Sequence, residues 1–277
     1  MTMLSINTNV GALQAASASY SVNKSMETSM QRLSTGKRIN SSADDAAGHQ
    51  IANRMTAEIQ GIKMAIRNAA DAQALLGTAE GAMEEIQTIL LRLRELAVQS
   101  SNGTNTTADR AALQSEVDAL EAEIDRISEN TTWASLSILD GALSAGITFQ
   151  IGADSGQTIT HSIADMASTA GTMSIQAANS VNTHTGAMSY ITKIDEALSG
   201  VATEREQIGA VMNRLDHTIS NLDNVATNLA TAKGRIEDAD FAAETSNLAR
   251  TQVLQQASMA MLAQANASKQ NILTLFQ

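Results

Sequence analysis

The residues equipped for chemistry are few, and their spacing does not suit it. Asp44 and Asp45 are adjacent, as are Glu84 and Glu85. On a helix, adjacent side chains diverge by about 100 degrees, so neither pair forms the shared-proton site that general acid–base catalysis uses. Both pairs read as solvated or helix-capping carboxylates. His49, His161, His184 and His217 are isolated, with no second ligand at i+3 or i+4, so a metal site is not expected. Cysteine is absent, which removes thiolate ligands, thiol nucleophiles and a disulfide framework together. The glycines fall in no phosphate-binding arrangement. The expectation is a protein that is not an enzyme, with no catalytic, cofactor-binding or metal residues.

Composition points the same way. The 277 residues are 43% hydrophobic but only 2% aromatic, with no proline, so Ala, Leu, Ile, Val and Met must build any core. Such a core suits close helix packing better than a pocket. A net charge of -11 with no basic stripe excludes nucleic acid as the expected partner. No window has the uninterrupted apolar run of a membrane span. The N-terminal stretch also lacks the basic start of a secretory signal, so any export is expected to proceed without a cleavable signal peptide.

Periodicity supplies the elements. From Met55 through Ile62, Ala69, Leu76, Met83, Leu90 and Ala97, apolar positions recur in alternating steps of three and four, with one slip after Leu76. That stripe is about 60 Å long at helical rise, which implies a rod. A second stripe runs from Ile191 through Leu198, Ile208 and Leu215 to Leu229, and a shorter one from Leu113 through Val117 and Ile124 to Ile127. Before the short helix, Asn102-Gly103 favours a turn, and Thr106 or Thr107 can cap. The non-helical part is expected at about Trp133 to Met188. There Ile147, Phe149 and Ile151, then Ile159, His161 and Ile163, alternate as a β-hairpin near 147–163, and 164–186 reads as an exposed polar stretch.

The two ends differ from the middle. After Arg250 the side chain of Lys269 is the single charge, and at the start no charged side chain precedes Lys24. Leu254, Met261, Ala265, Ile272 and Leu275 continue a helical seam, but the other faces are Gln, Asn, Ser and Ala. A helix surrounded by water alone is normally flanked by charges that solvate it and pair at i,i+4. Uncharged faces suit a helix that meets other copies of itself, and each end in isolation is expected to be marginal and to fold on assembly.

Six blocks in order, "LSINTNVGALQA" at 4–15, "RLSTGKRINSSADDAAG" at 32–48, "LRLRELAVQSSNGTNT" at 91–106, "ITFQIGADSGQTI" at 147–159, "GRIEDADFAAETSNLAR" at 234–250 and "QANASKQNILTLF" at 264–276, resemble bacterial flagellin. The resemblance implies a mainly α fold, a long antiparallel coiled-coil rod with a small β-hairpin region and paired N- and C-terminal helices. Residues 1–44 and 236–277 would form the terminal coiled-coil domain at the filament core, and 45–235 the helical rod domain. Few residues separate the hairpin from the return helix, so the chain resembles a minimal form without variable outer domains. The implied function is an extracellular structural subunit polymerised into the flagellar filament; a hook-filament junction protein has the same architecture, and a signalling coiled coil is a third reading. Implied partners are the chain itself, the export apparatus, an export chaperone covering Leu254 to Phe276, the filament cap and hook-associated proteins. Arg92, Leu96 and Glu116 match positions where flagellins pack laterally and where the flagellin-sensing Toll-like receptor binds. Without the family, those residues read as a solvated face with one exposed leucine. Two residues depart from the pattern: His49 stands where an apolar residue is common, and Lys269 where many members have proline.

Overall fold

The computed structural model describes residues 8–169, 172–176 and 180–274, with side chains described as far as Ser268. Among them are five helices: α1 (Val10–Thr35), α2 (Ala46–Ser101), α3 (Thr107–Asn130), α4 (His184–Glu237) and α5 (Phe241–Thr274). Two antiparallel strand pairs lie between α3 and α4: β1 (Thr132–Trp133) with β2 (Leu136–Ser137), and β3 (Ile147–Gln150) with β4 (Thr158–His161). The fold is mainly α, as the periodicity predicts.

The helix ends have local causes. The Asn9 side chain accepts the Ala12 N–H at 3.1 Å and starts α1, and Gly36 stops it in the left-handed region at φ 71°, donating its N–H to the Arg32 carbonyl. Asp44 accepts the N–H groups of Asn40 and Ser41, which holds its carboxyl below the ordinary range, and Asp45 accepts the N–H of Gly48 in the first turn of α2. Thr106 and Asp109 form a reciprocal capping box at the start of α3.

The chain divides into two compact units, a central one from Gln60 to Ala226 and a terminal one made from the residues up to Ile59 and from Thr227 onward. The central core is a continuous seam of fully buried side chains, with Leu76, Met83, Ile86, Leu90 and Leu93 from α2, Val117 and Ile124 from α3, and Tyr190, Ile194, Val201 and Ile208 from α4. The β3–β4 hairpin pairs Ile147 with His161 and Phe149 with Ile159. It lies against α2, where Asn68 donates to the Gln150 carbonyl at 3.1 Å. A side chain at Gly61 would meet Ala153 at 2.9 Å, so the approach of the hairpin loop requires glycine there.

The structure corrects two expectations. First, α4 begins at His184, before the expected boundary at Met188. Second, 164–186 is not an exposed stretch: Met166, Ser168, Met173, Ile175 and Val181 are buried. Their backbone is satisfied by side chains rather than by regular structure. Asp125 accepts both the N–H and the hydroxyl of Ser168, Gln114 accepts the Val181 N–H, and Ser100 donates to the Val181 carbonyl. Irregular spacing hid these burials from any periodicity.

Candidate assembly surfaces

In the terminal unit α1 packs along α5. One end of this pairing is made by ionic and polar groups. Arg32 donates to Glu244 at 2.9 Å, and Ser29 donates to the same carboxylate at 3.0 Å. Glu244 is 7% exposed, and the Arg32 bond, with Ser29, holds its carboxyl below the ordinary range. Nearby, Arg38 N–H donates to the Glu237 carbonyl at 2.7 Å, Ala239 N–H to the Gly36 carbonyl at 2.9 Å, and the Lys37 ammonium reaches the Glu237 carboxylate at 2.6 Å. The chain is thus clipped where α1 ends and α5 begins.

Farther along, the pairing thins. Gln255 donates to Asn23 at 2.8 Å and Asn9 to the Ala265 carbonyl at 3.1 Å. Between those bonds runs an open groove lined by Gly11, Ala15 and Ala18 on α1 and by Leu254, Ser258, Met261 and Ala265 on α5. Several large apolar side chains of these helices are exposed, while Val22, Met26, Leu33, Leu248 and Leu262 are half-buried. Tyr20 is 74% exposed, Met261 66% and Leu254 45%. Ala265 is half-buried, Ile272 is described in its backbone only, and Leu275 and Phe276 lie outside the described residues.

The second candidate surface lies on the central unit. Arg92 donates two bonds to Glu116 Oε1, at 3.1 and 2.8 Å, and one to Glu95 at 3.0 Å. Glu116 is its main partner and raises the guanidinium pKa further. The structure therefore brings Arg92 and Glu116 together across α2 and α3. Leu96, by contrast, is 1% exposed and belongs to the core. The reading of it as the exposed leucine is corrected. Packing α2 against two helices needs a stripe wider than a two-helix seam, and Leu96 falls inside that stripe beside Leu93 and Ala97. The exposed large apolar side chains in this part of α2 are Leu91 and Val98.

Sequence reasoning missed the buried polar groups. Arg110, Glu121 and Ser128 occupy the α3 seam with Val117 and Ile124, and the Tyr190 hydroxyl donates to Glu121 at 2.7 Å. Burial, reinforced by the Glu121 charge, pushes the Tyr190 phenol far up. Their three-four spacing was visible; their polarity made them look like surface. His161 is buried with its Nε2 unpartnered, and burial lowers its pKa against the pull of Glu204. Among the described residues no three His, Asp or Glu side chains group as metal ligands, and no helix is long and apolar enough to cross a membrane.

A paired set of terminal helices with outward apolar faces is the arrangement a polymer subunit needs, and known proteins can be set beside it. Residues 6–144 match the bacterial flagellin N-terminal helical region, and 191–276 match the bacterial flagellin C-terminal helical region. The chain belongs to the bacterial flagellin family. It is 43% identical to the flagellin of Halalkalibacterium halodurans over 273 residues, covering 98% of this chain and 99% of that one. With the Bacillus subtilis flagellin the identity is 40%, at the same coverage of both chains. Polar flagellin F of Vibrio parahaemolyticus aligns over 374 positions at 32% identity, so that relative carries insertions this 277-residue flagellin lacks. It is a minimal form. The crystal structure of Bacillus cereus flagellin superposes with a TM-score of 0.50 at 36% identity, over 60% of this chain and 94% of that one. A putative flagellar hook-associated protein from Vibrio parahaemolyticus, 15% identical with a TM-score of 0.61, shares the fold alone. Flagellins are structural proteins of the extracellular filament, and this flagellin is one of them.

Proposed function

We propose that this flagellin, a structural subunit of the flagellar filament that drives swimming, polymerises through the charge-poor faces of α1 and α5. The carrying observation is the outward display of Tyr20, Val253, Leu254, Met259 and Met261 on α1 and α5. Apolar surface of that extent costs free energy in water and is removed when copies pack together. On this reading 1–44 and 236–277 act as the filament-core domain and 45–235 as the rod. Leu254, Met261, Ala265, Ile272, Leu275 and Phe276 form the seam that buries last. The same seam would be covered before export by a chaperone. The subunit would then pass through the export apparatus without a cleavable signal and add beneath the filament cap, on a base of hook-associated proteins. It would perform no chemistry.

Seeded sedimentation tests this. Full-length chain and a chain ending at Arg250 are mixed with short filament fragments, and circular dichroism is recorded on both monomers. Only the full-length chain should pellet, while the shortened monomer keeps the helical signal of its remaining helices. Equal pelleting would overturn the assignment of α5 as an assembly element.

Arg92 and Glu116 form the second contact of this reading, for lateral packing between subunits and for recognition by the flagellin-sensing Toll-like receptor. Leu96 supports that face from beneath. Arg92→Ala should weaken filament stability or receptor signalling; a variant unchanged in both removes the assignment.

A further inference from the structure

The turn joining α2 to α3 carries Asn102-Gly103, the one place in the chain where glycine follows asparagine. We propose that it is a site of spontaneous covalent modification, at which Asn102 converts to aspartate and isoaspartate through a cyclic imide. The Gly103 backbone nitrogen attacks Asn102 Cγ; a C–N bond forms, the amide proton passes to solvent, and the side-chain nitrogen leaves as ammonia. Water then opens the ring at either carbonyl. One amide and one water give one carboxylic acid and one ammonia, with no oxidant or cofactor.

The fold leaves both reacting groups available. A Cβ added at Gly103 would meet nothing within 4 Å, and among the described residues nothing accepts from the Gly103 N–H. The nucleophile is unshielded and unheld. Asn102 Oδ1 accepts the Thr104 N–H at 3.3 Å, a bond that polarises the side-chain carbonyl and steadies negative charge on its oxygen during attack. Both residues are exposed to the water that opens the ring, and they lie just beyond the last helical residue, Ser101.

Asn40-Ser41 is the instructive contrast. There the Ser41 N–H is bound to Asp44 at 2.9 Å, and the Asn40 side-chain nitrogen donates to the Lys37 carbonyl at 3.0 Å. Nucleophile and leaving group are both engaged, so the fold protects this pair. At Asn102 the modification also has a structural consequence. The Asn102 carbonyl accepts from Arg110 Nη2 at 3.0 Å and from the Asn105 N–H at 3.2 Å. Isoaspartate reroutes the backbone through the side-chain carbon, so this carbonyl moves and the buried Arg110 loses one of its anchors. The inference is independent of the assembly reading.

The test is incubation of the folded full-length chain in mildly alkaline buffer, with peptide mass spectrometry that separates aspartate from isoaspartate. Acid should accumulate at position 102 ahead of Asn40 and every other described asparagine, and isoaspartate should be present there. Gly103→Ala, which meets neither a clash nor a left-handed φ, should slow conversion at 102 by at least an order of magnitude while leaving the helical signal unchanged. An Asn102 that stays an amide, a Gly103→Ala chain that converts as fast as the parent, or an Asn40 that keeps pace with Asn102 would each overturn the proposal.

Discussion

Glu244 concentrates the energetics of the terminal pairing in one side chain, because it accepts from Arg32 and Ser29 while almost excluded from water. Glu244→Ala leaves both donors without their acceptor and should cost about 2 kcal/mol, read as a lower melting temperature. Glu244 and Glu237 both have lowered carboxyl pKa values, caused first by Arg32 and Lys37 respectively. Their stabilisation is therefore present above the ordinary carboxylate range and lost as pH falls through the lowered folded values. His161 acts in the same direction from a higher pH. Kept neutral by burial, it withdraws stability as pH drops below the ordinary histidine value of about 6.5. Helical signal followed through an acid titration should fall first below the histidine range and then below the carboxylate range, and Glu244→Gln should flatten the later part. Tyr190→Phe removes a donor from buried Glu121 and should destabilise the central unit by about 1–3 kcal/mol in thermal unfolding. Apart from His161, which stands in the hairpin alternation, none of these groups was legible beforehand. Hydropathy treats Glu121, Glu204 and Glu244 as surface, and only the partners that folding brings to them decide otherwise.

The elements were far more legible than their polar anchors, because a long helix repeats its signal many times. The stripes through Leu90, Ile194 and Val117 became α2, α4 and α3, and the alternation around Phe149 and Ile159 became β3 and β4. What escaped were elements too short to repeat. The β1–β2 pair turns through Ala134 and Ser135, both at positive φ without a glycine or asparagine to announce it. Likewise the buried stretch after His161 is held by single bonds to Asp125 and Gln114, which no period encodes. Leu96 shows the same limit within a strong helix. A seam drawn for two helices left outside it a residue that the core cluster includes. The hairpin loop offers a check at this scale: Gly61→Leu would force a side chain into Ala153, 2.9 Å from the position of its Cβ, and should cost about 1–3 kcal/mol by thermal unfolding.

Across the single chain as a whole, α1 and α5 invert the usual relation between a protein and its surroundings. Most chains keep charge outside and apolar side chains in, whereas Met261 and Leu254 stand in solvent on a helix with no charge between Arg250 and Lys269. Met261→Lys should block seeded polymerisation while leaving the monomer's helical signal intact, because Met261 is 66% exposed and the groove it borders is open to water. Full pelleting of that variant would count against the surface. There is a further consequence for the medium in which such a polymer works. Dissolved ions weaken attraction between exposed charges over a Debye length of about 8 Å at about 0.15 M salt, but they do not screen apolar burial. Contacts made by the uncharged faces of α1 and α5 should therefore hold alike in pond water and in brine, whereas a lateral contact through Arg92 and Glu116 should weaken as salt rises.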